Sequence, residues 1–271
     1  IAANLSGNGE GQVYLGDTNN TTDGSGSATF TAQLAVTNLV GRYLTATATD
    51  TNGNTSEFSA AFTTVSTLAG HVFTVINTND SGPGSLRQAI IDAIAAISAG
   101  ETIAFAITNL STTIRPASFL PAIIDSVTID GTTQAGWVAN TSSTGFNGVL
   151  PVVLDGTSAS TADGLRFFIG GNTVRGLNII NFSLDGLDFS GGGGNTVAGC
   201  VIGLDASSVD RGNSGNGILL TASANNVIGG PTLAARNVIS GNTSDGVEIT
   251  GMGSSNNIVA GNLIGTGLAG T

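Results

Sequence analysis

Arg166, Asp188 and Glu248 stand at one register in a set of repeated phrases: DGLRF (163–167), DGLDF (185–189), NGILL (216–220) and DGVEI (245–249). A guanidinium beside carboxylates at a fixed spacing is the raw material of acid–base chemistry, because unlike environments push the pKa values of neighbouring acids apart. Asp163, Asp185 and Asp245 open three of the phrases and put further acids at the adjoining turn. The same residues suit a structural role better: an ion pair from Arg166 to Asp188, with solvated turn acids around it. Leu219 interrupts the column where a catalytic face needs a polar group. No catalytic residue is therefore assigned.

Asp50, Asn52, Asn54 and Glu57 offer oxygens at alternating spacing within one turn, a candidate calcium site that falls short of an EF-hand loop. No cofactor is required by any motif, and calcium is the one ligand the sequence offers. His71, the single histidine, lies outside the repeats and reads as a strand-start or packing residue. Cys200, the single cysteine, forbids an intrachain disulfide and reads as a packing residue. The sequence has no His/Cys set with metal-ligand spacing, no glycine-rich loop of the kind that cradles phosphate before a helix and no serine–histidine pairing. Sequons occur at Asn4, Asn20, Asn54, Asn109, Asn140, Asn181 and Asn242, as chance provides in a chain so rich in Asn, Ser and Thr.

The 271 residues carry a net charge of −11, with seven arginines and no lysine. No basic patch exists to follow a phosphate backbone, which excludes nucleic acid as a partner. No apolar run is long enough to insert in a membrane as a helix. Forty-one glycines, few charges and 40% hydrophobic residues describe many short strands joined by tight turns. The expected fold class is all-β, with a first module over 1–66 and a second over 67–271.

In the first module SATFTAQLAV (27–36), YLTATATD (43–50) and SEFSAAFTTV (56–65) alternate as half-buried strands do. Asn52-Gly53 predicts a type I′ hairpin turn. The module reads as a small, reduced or incomplete β-sandwich. In the second, SGPGSLRQAIIDAIAAISAG (81–100) predicts one helix over 85–99. Ser85 and Gln88 would form its capping box, Leu86, Ile90, Ile94 and Ile97 its apolar stripe, and Gly100 its stop. Beyond it, NTVRGLNI (172–179) returns as NTVAGCVI (195–202), then as NVIGG (226–230) and NIVAGNLI (257–264). SVTIDGTT (126–133) is echoed by PVVLDGTS (151–158), which places both at the head of the column continued by LNII (177–180) and CVIG (200–203). A period of about 22 to 31 residues with two or three strands is that of one coil of a parallel β-helix. Leu165, Leu187, Ile218 and Val247 would form one inward ladder, and Phe167, Phe189, Leu220 and Ile249 another. Asn172, Asn195, Asn226 and Asn257 would stack their amides at a corner. The helix would cap the first coil, and the other end is read as uncapped, cut in mid-repeat.

GHVFTVINTNDSGPGSLRQAI, TIDGTTQAG and ARNVISGN…DGVEI…NNIVAGNLIGT resemble secreted bacterial proteins with right-handed parallel β-helix repeats, of pectin-lyase-like architecture. GEGQVYLGDTNNTTDGSGSATFTAQLAV…LTATATDTNGNTSEFSAAF resembles the bacterial Ig-like module that often precedes such repeats. The resemblance implies a secreted or cell-surface location. It also implies polysaccharide lyases, which use Arg or Lys with calcium on clustered acids, and glycoside hydrolases, which use paired carboxylates. With no lysine and a broken charged column, the expected function is not enzymatic. It is that of an extracellular structural or adhesive protein, a stiff element able to self-associate head-to-tail into a filament or matrix by strand donation or end-to-end β stacking, or to meet other surface proteins and glycans. A polysaccharide-binding or polysaccharide-degrading protein is the alternative.

Overall fold

The computed structural model describes residues 14–25, 27–28, 43–56, 59, 62–63, 70–96 and 100–271. The chain divides into two compact units, Ile1–Thr67 and Leu68–Thr271. In the first, β1 (Tyr43–Leu44) pairs antiparallel with β2 (Phe62–Thr63). Thr49 and Thr55 bridge across the turn between them. The expected strand over 27–36 lies almost wholly outside the described residues. The turn is not type I′: Gly53 has φ +85°, but Asn52 stays out of the left-handed region. Gly53 N–H donates to Asp50 C=O at 3.1 Å and Asp50 N–H to Asn54 C=O at 2.9 Å, the pattern of a longer hairpin loop with its left-handed residue at the glycine. Asp50 explains the difference, since its carboxylate takes the N–H groups of both Asn52 and Asn54.

The second unit winds through seven coils. Coil 1 holds β3 (Val72–Val75) and the helix α1 (Leu86–Ala95). Coil 2 holds β4 (Glu101–Phe105) and β5 (Thr113–Ile114). Coil 3 holds β6 (Val127–Asp130), β7 (Val153–Asp155) and β8 (Leu165–Phe167). Coil 4 holds β9 (Thr173–Arg175), β10 (Asn178–Ile180) and β11 (Leu187–Ser190). Coil 5 holds β12 (Thr196–Ala198), β13 (Val201–Ile202) and β14 (Ile218–Thr221). Coil 6 holds β15 (Val227–Gly229), β16 (Val238–Ile239) and β17 (Val247–Thr250). Coil 7 holds β18 (Ile258–Ala260) and β19 (Leu263–Ile264).

Sheet A runs β3-β4-β6-β9-β12-β15-β18, sheet B runs β5-β7-β10-β13-β16-β19, and sheet C runs β8-β11-β14-β17. Coils 3 to 6 each add one strand to all three sheets, coil 1 adds one to sheet A alone, coils 2 and 7 add to sheets A and B, and every pairing is parallel. This strand-rich, parallel arrangement is compatible with a parallel β-helix. The registers align Ile103, Ile129, Val174, Val197 and Ile228 in sheet A, and Ile114, Leu154, Ile179, Ile202 and Ile239 in sheet B. In sheet C they align the two expected ladders, Leu165 to Val247 and Phe167 to Ile249. Phe167 and Phe189 stack with centroids 4.6 Å apart. Most of these side chains join one continuous apolar core, each worth about 1.5–3 kcal/mol when fully buried.

Two departures have local causes. VTID (127–130) and VLD (153–155) share a motif but not a column, since β6 lies in sheet A and β7 in sheet B. The likeness is one of turn, not of position: Asp130 and Asp155 each accept an N–H two residues on and start a short 3₁₀ turn. The helix ends at Ala95, with Ala96 extended; Ile97 and the next two residues lie outside the described set. Ser85 caps the helix by accepting Gln88 N–H at 3.1 Å. The reciprocal half of the box is not made, because Ser85 N–H goes to Gly82 C=O and the Gln88 amide reaches forward to Asp92 at 2.8 Å. Leu86, Ala89, Ile90 and Ala93 enter the common core, and α1 packs on β3 and β4.

Candidate functional site

The outer face of sheet C carries the column Arg166, Asp188, Leu219, Glu248, in register on successive strands. Outward direction follows from the strand period of two, since Leu165, Phe167, Leu187 and Phe189 point inward. Arg166 Nε meets Asp188 Oδ2 at 2.9 Å across the coil boundary. Asp188 Oδ1 accepts the Ser190 hydroxyl at 2.6 Å, so both carboxylate oxygens are engaged. The Arg166 guanidinium lies 4.8 Å from the centre of the half-exposed Phe168 ring. Glu248 does not join Asp188, because Leu219 separates them; Glu248 Oε2 instead accepts the Asn216 amide at 2.9 Å.

Asp163, Asp185, Asn216 and Asp245 form a second column at the corner before this sheet. Asp163 Oδ1 accepts Asp185 N–H at 3.0 Å, Asp185 Oδ1 accepts Asn216 N–H at 2.6 Å, and Asn216 Oδ1 accepts Asp245 N–H at 2.9 Å. Glycine follows each of them because there is no room for a side chain. A Cβ on Gly164 would fall 2.3 Å from Gly186 O, and one on Gly186 would fall 2.7 Å from Gly217 O. Burial raises both the Asp163 and Asp185 carboxyls above the usual range, and the charges of neighbouring acids, Asp188 among them, add to it. Chemically the cluster can hold protons more tightly than free carboxylates do. Oδ1 of Asp163, of Asp185 and of Asn216 already serves the next coil.

That use of side chains recurs at every corner. Asn172, Asn195, Asn226 and Asn257 form the expected ladder, each backbone N–H and side-chain amide donating to the next Oδ1 at 2.8–3.0 Å. Two further ladders escaped the sequence reading. Asn237 donates to Asn262, and Asn213 to Asn242, in the same double fashion. The signal was present in the GN pairs at 212–213, 241–242 and 261–262. Cys200 occupies the column of Asn237 and Asn262; its N–H donates to Asn237 Oδ1 at 2.8 Å. Its thiol is fully buried, and burial pushes it up to about 12. Arginine–aspartate pairs also cross coils in the other sheets: Arg175 with Asp130 at 2.6 Å and Arg115 with Asp155 at 2.8 Å. Burial works against ionisation of both acids. Bonds from Arg175 and Thr132 to Asp130, and from Asn181, Thr157 and Arg115 to Asp155, outweigh it and leave both carboxyls below their ordinary value.

The calcium candidates Asp50, Asn52 and Asn54 do share one turn, while Glu57 lies outside the described residues. Asp50 Oδ1 accepts the N–H groups of Asn52 at 2.9 Å and Asn54 at 2.8 Å, and Oδ2 accepts the Asn54 amide at 2.8 Å. His71 is exposed just before β3, its ring tilted 6.2 Å from that of Phe73. Among the described residues no group of three or more His, Cys, Asp or Glu could hold a metal ion. Nor is any helix among them long and apolar enough to cross a membrane. The sequon amides of Asn140 and Asn181 are spent on Leu233 C=O and Asp155. No known family profile matches the chain, and no curated protein aligns with it significantly.

Proposed function

We propose that the chain is a structural, adhesive component of an extracellular or cell surface, built as a right-handed parallel β-helix behind a small Ig-like module. One observation carries this reading: the polar residues that repeat from coil to coil are consumed in holding the coils together. The Asn ladders and the Arg–Asp pairs bind neighbouring coils. A repeat selected for catalysis would keep such groups turned to a substrate. The helix serves as the cap of the first coil in this reading. The strands β17, β18 and β19 are each outermost in their sheets, with Ile249, Ile258 and Ile264 exposed on them. A groove of about 130 Å³, lined by Ile239, Asn242, Gly246 and Ile264 among others, opens where coil 7 adds no strand to sheet C. Such an edge takes another coil of the same polypeptide, or a strand donated by the small first unit of a second copy, because the far end of the stack is the one that α1 caps in this reading. Electron microscopy at low and high concentration tests the self-associating form. Fibres with a regular axial repeat support it, and dispersed single particles at every concentration overturn it.

The alternative is polysaccharide binding or cleavage on the outer face of sheet C. It is favoured by the exposed Arg166–Phe168 pair beside the proton-retaining acids Asp163 and Asp185. A panel of acidic and neutral polysaccharides, scored for binding, new reducing ends and unsaturated products, tests it. For the first unit we propose calcium as the ligand, held at Asp50, Asn52 and Asn54. An ion there must displace the amide donors now on Asp50, so a calorimetric titration that shows no heat refutes it.

A further inference from the structure

Coil 3 is longer than the coils after it. Val127 N–H meets Asn172 45 positions on, where later steps of that ladder span 23 and 31. The extra length is residues 134–150, between β6 and β7, which cross the outer face of sheet B. We propose that this segment is a latch that ties coil 3 to coils 6 and 7, so that those coils open only together with the rest of the stack.

The latch has a base, a preformed tip and a pin. At the base Val138 and Val149 pair antiparallel, with N–H···O distances of 3.0 and 2.9 Å. The tip is ordered by its own side chains. Asn140 Oδ1 accepts Ser142 N–H and Asn147 N–H, and Asn147 Oδ1 accepts Thr141 N–H at 2.8 Å. The pin is Arg236, in the turn between β15 and β16. Its Nη1 donates to the carbonyls of Ser142, Ser143 and Gly145 at 3.0–3.2 Å, while its Nε donates to Gly261 C=O at 3.0 Å. One guanidinium thus joins coils 3, 6 and 7. Phe146 N–H adds a bond to Leu268 C=O at 2.7 Å, and Asn140 Nδ2 adds one to Leu233 C=O at 2.9 Å. The tip backbone lies so close to 268–270 that a Cβ on Gly270 would fall 2.2 Å from Thr144 O.

The face beneath is built to be covered. Val201 and Val238 alternate with the inward Ile202 and Ile239, so they point out of sheet B, yet they are 3% and 0% exposed. With Phe146, Leu204, Leu150, Leu263 and Leu268 they form a second apolar cluster, separate from the main core. In a stack whose coils touch only their neighbours, the outermost coils fray first. Contacts that skip coils 4 and 5, made between residues 91 to 94 apart, remove that freedom.

Hydrogen exchange on the whole chain, followed strand by strand, tests this. In the wild type, amides of β15, β16 and β18 are expected to share the protection of β9–β14. Arg236→Ala removes four charge-assisted bonds and is expected to speed exchange in β15–β19 about 10- to 100-fold, with β9–β14 unchanged. Replacing 139–148 by Asn-Gly, which can close the Val138–Val149 pair as a two-residue turn, is expected to do the same. Equal acceleration in all coils, or none, overturns the latch. If neither variant folds, the wild type decides alone: far-coil amides that exchange well ahead of β9–β14 overturn it as well.

Discussion

Asn195→Ala is the sharpest test of the view that the repeated asparagines are fasteners. Asn195 is fully buried. Its Oδ1 accepts Asn172 N–H at 3.0 Å and Asn172 Nδ2 at 2.9 Å, and its own Nδ2 donates to Asn226 Oδ1 at 2.8 Å. Truncation orphans the buried Asn172 N–H, which costs about 1–3 kcal/mol. The other two losses are softer. Asn172 Nδ2 keeps Ile169 C=O at 2.6 Å, and Asn226 Oδ1 keeps Asn195 N–H at 2.9 Å. Each therefore adds about 0.5–1 kcal/mol, for a total of roughly 2–5 kcal/mol. Urea unfolding followed by far-ultraviolet circular dichroism reads the loss as a lowered midpoint at unchanged slope. Asn109→Ala is the control: it removes one exposed 3.3 Å bond to Thr78 and should shift stability by less than about 0.5 kcal/mol. A loss below about 1 kcal/mol for Asn195→Ala, or one equal to the control, refutes the fastener argument.

Three further outcomes are expected. Gly186→Ala and Gly186→Asn should both destabilise by about 1–3 kcal/mol or more, because any Cβ meets Gly217 O and Ile202. At Gly194, with φ +73° and open space, Asn should recover most of what Ala loses; thermal melts of the four variants separate crowding from backbone strain. Burial and neighbouring acids raise the Asp163 carboxyl, so its favourable contribution is complete below the ordinary carboxylate pKa and is lost as pH rises through the raised one. Asp163→Asn should therefore gain more stability at pH 7 than at pH 4, and an equal gain at both would refute the assignment. The Cys200 thiol, pushed up to about 12 by burial, should resist a disulfide reagent at pH 8 in the native protein and react at once in denaturant.

Much of the stack was legible in the sequence because one physical rule repeats in it. In-out-in alternation and a fixed period aligned Leu165 with Leu187, and Phe167 with Phe189, as the registers do. The asparagine before β9, β12, β15 and β18 was legible because its side chain both donates and accepts, so one residue type can repeat along the column. Local resemblance misled where it reflected a turn instead of a position. The DGT motifs at Asp130 and Asp155 start the same 3₁₀ turn from different sheets. The latch was illegible for a different reason. Its bonds run from Arg236 to main-chain carbonyls, which every residue possesses, so no side-chain pattern in 140–147 announces the partner. The chemistry at Arg166 and Asp188 was readable as an ion pair. The spending of Asp163 and Asp185 on N–H groups of the next coil was not, because it depends on how closely the glycine column lets the coils approach.

The ladders also have a direction, and that bears on what can stack on this protein. In the asparagine columns each coil donates its N–H to the side chain of the following coil. In the aspartate column the donation is reversed, from the following coil back to Asp163, Asp185 and Asn216. A coil continued beyond coil 7 by the same pattern would bring an asparagine oxygen to the Asn257 corner and an N–H to the Asp245 corner. Coil 3 begins the series in that sense, since Val127 N–H already donates to Asn172 at 3.0 Å. Two copies related by a twofold axis would reverse the sense of winding across the joint, whereas the coils within the chain meet in parallel, so an isologous pairing of ends does not continue the stack. A further coil of the same repeat preserves both directions at once, whereas coil 1, with β3 and α1, lies before the asparagine series and continues neither column. The same polarity that orders the coils within the chain therefore sets the only sense in which a further coil can be added.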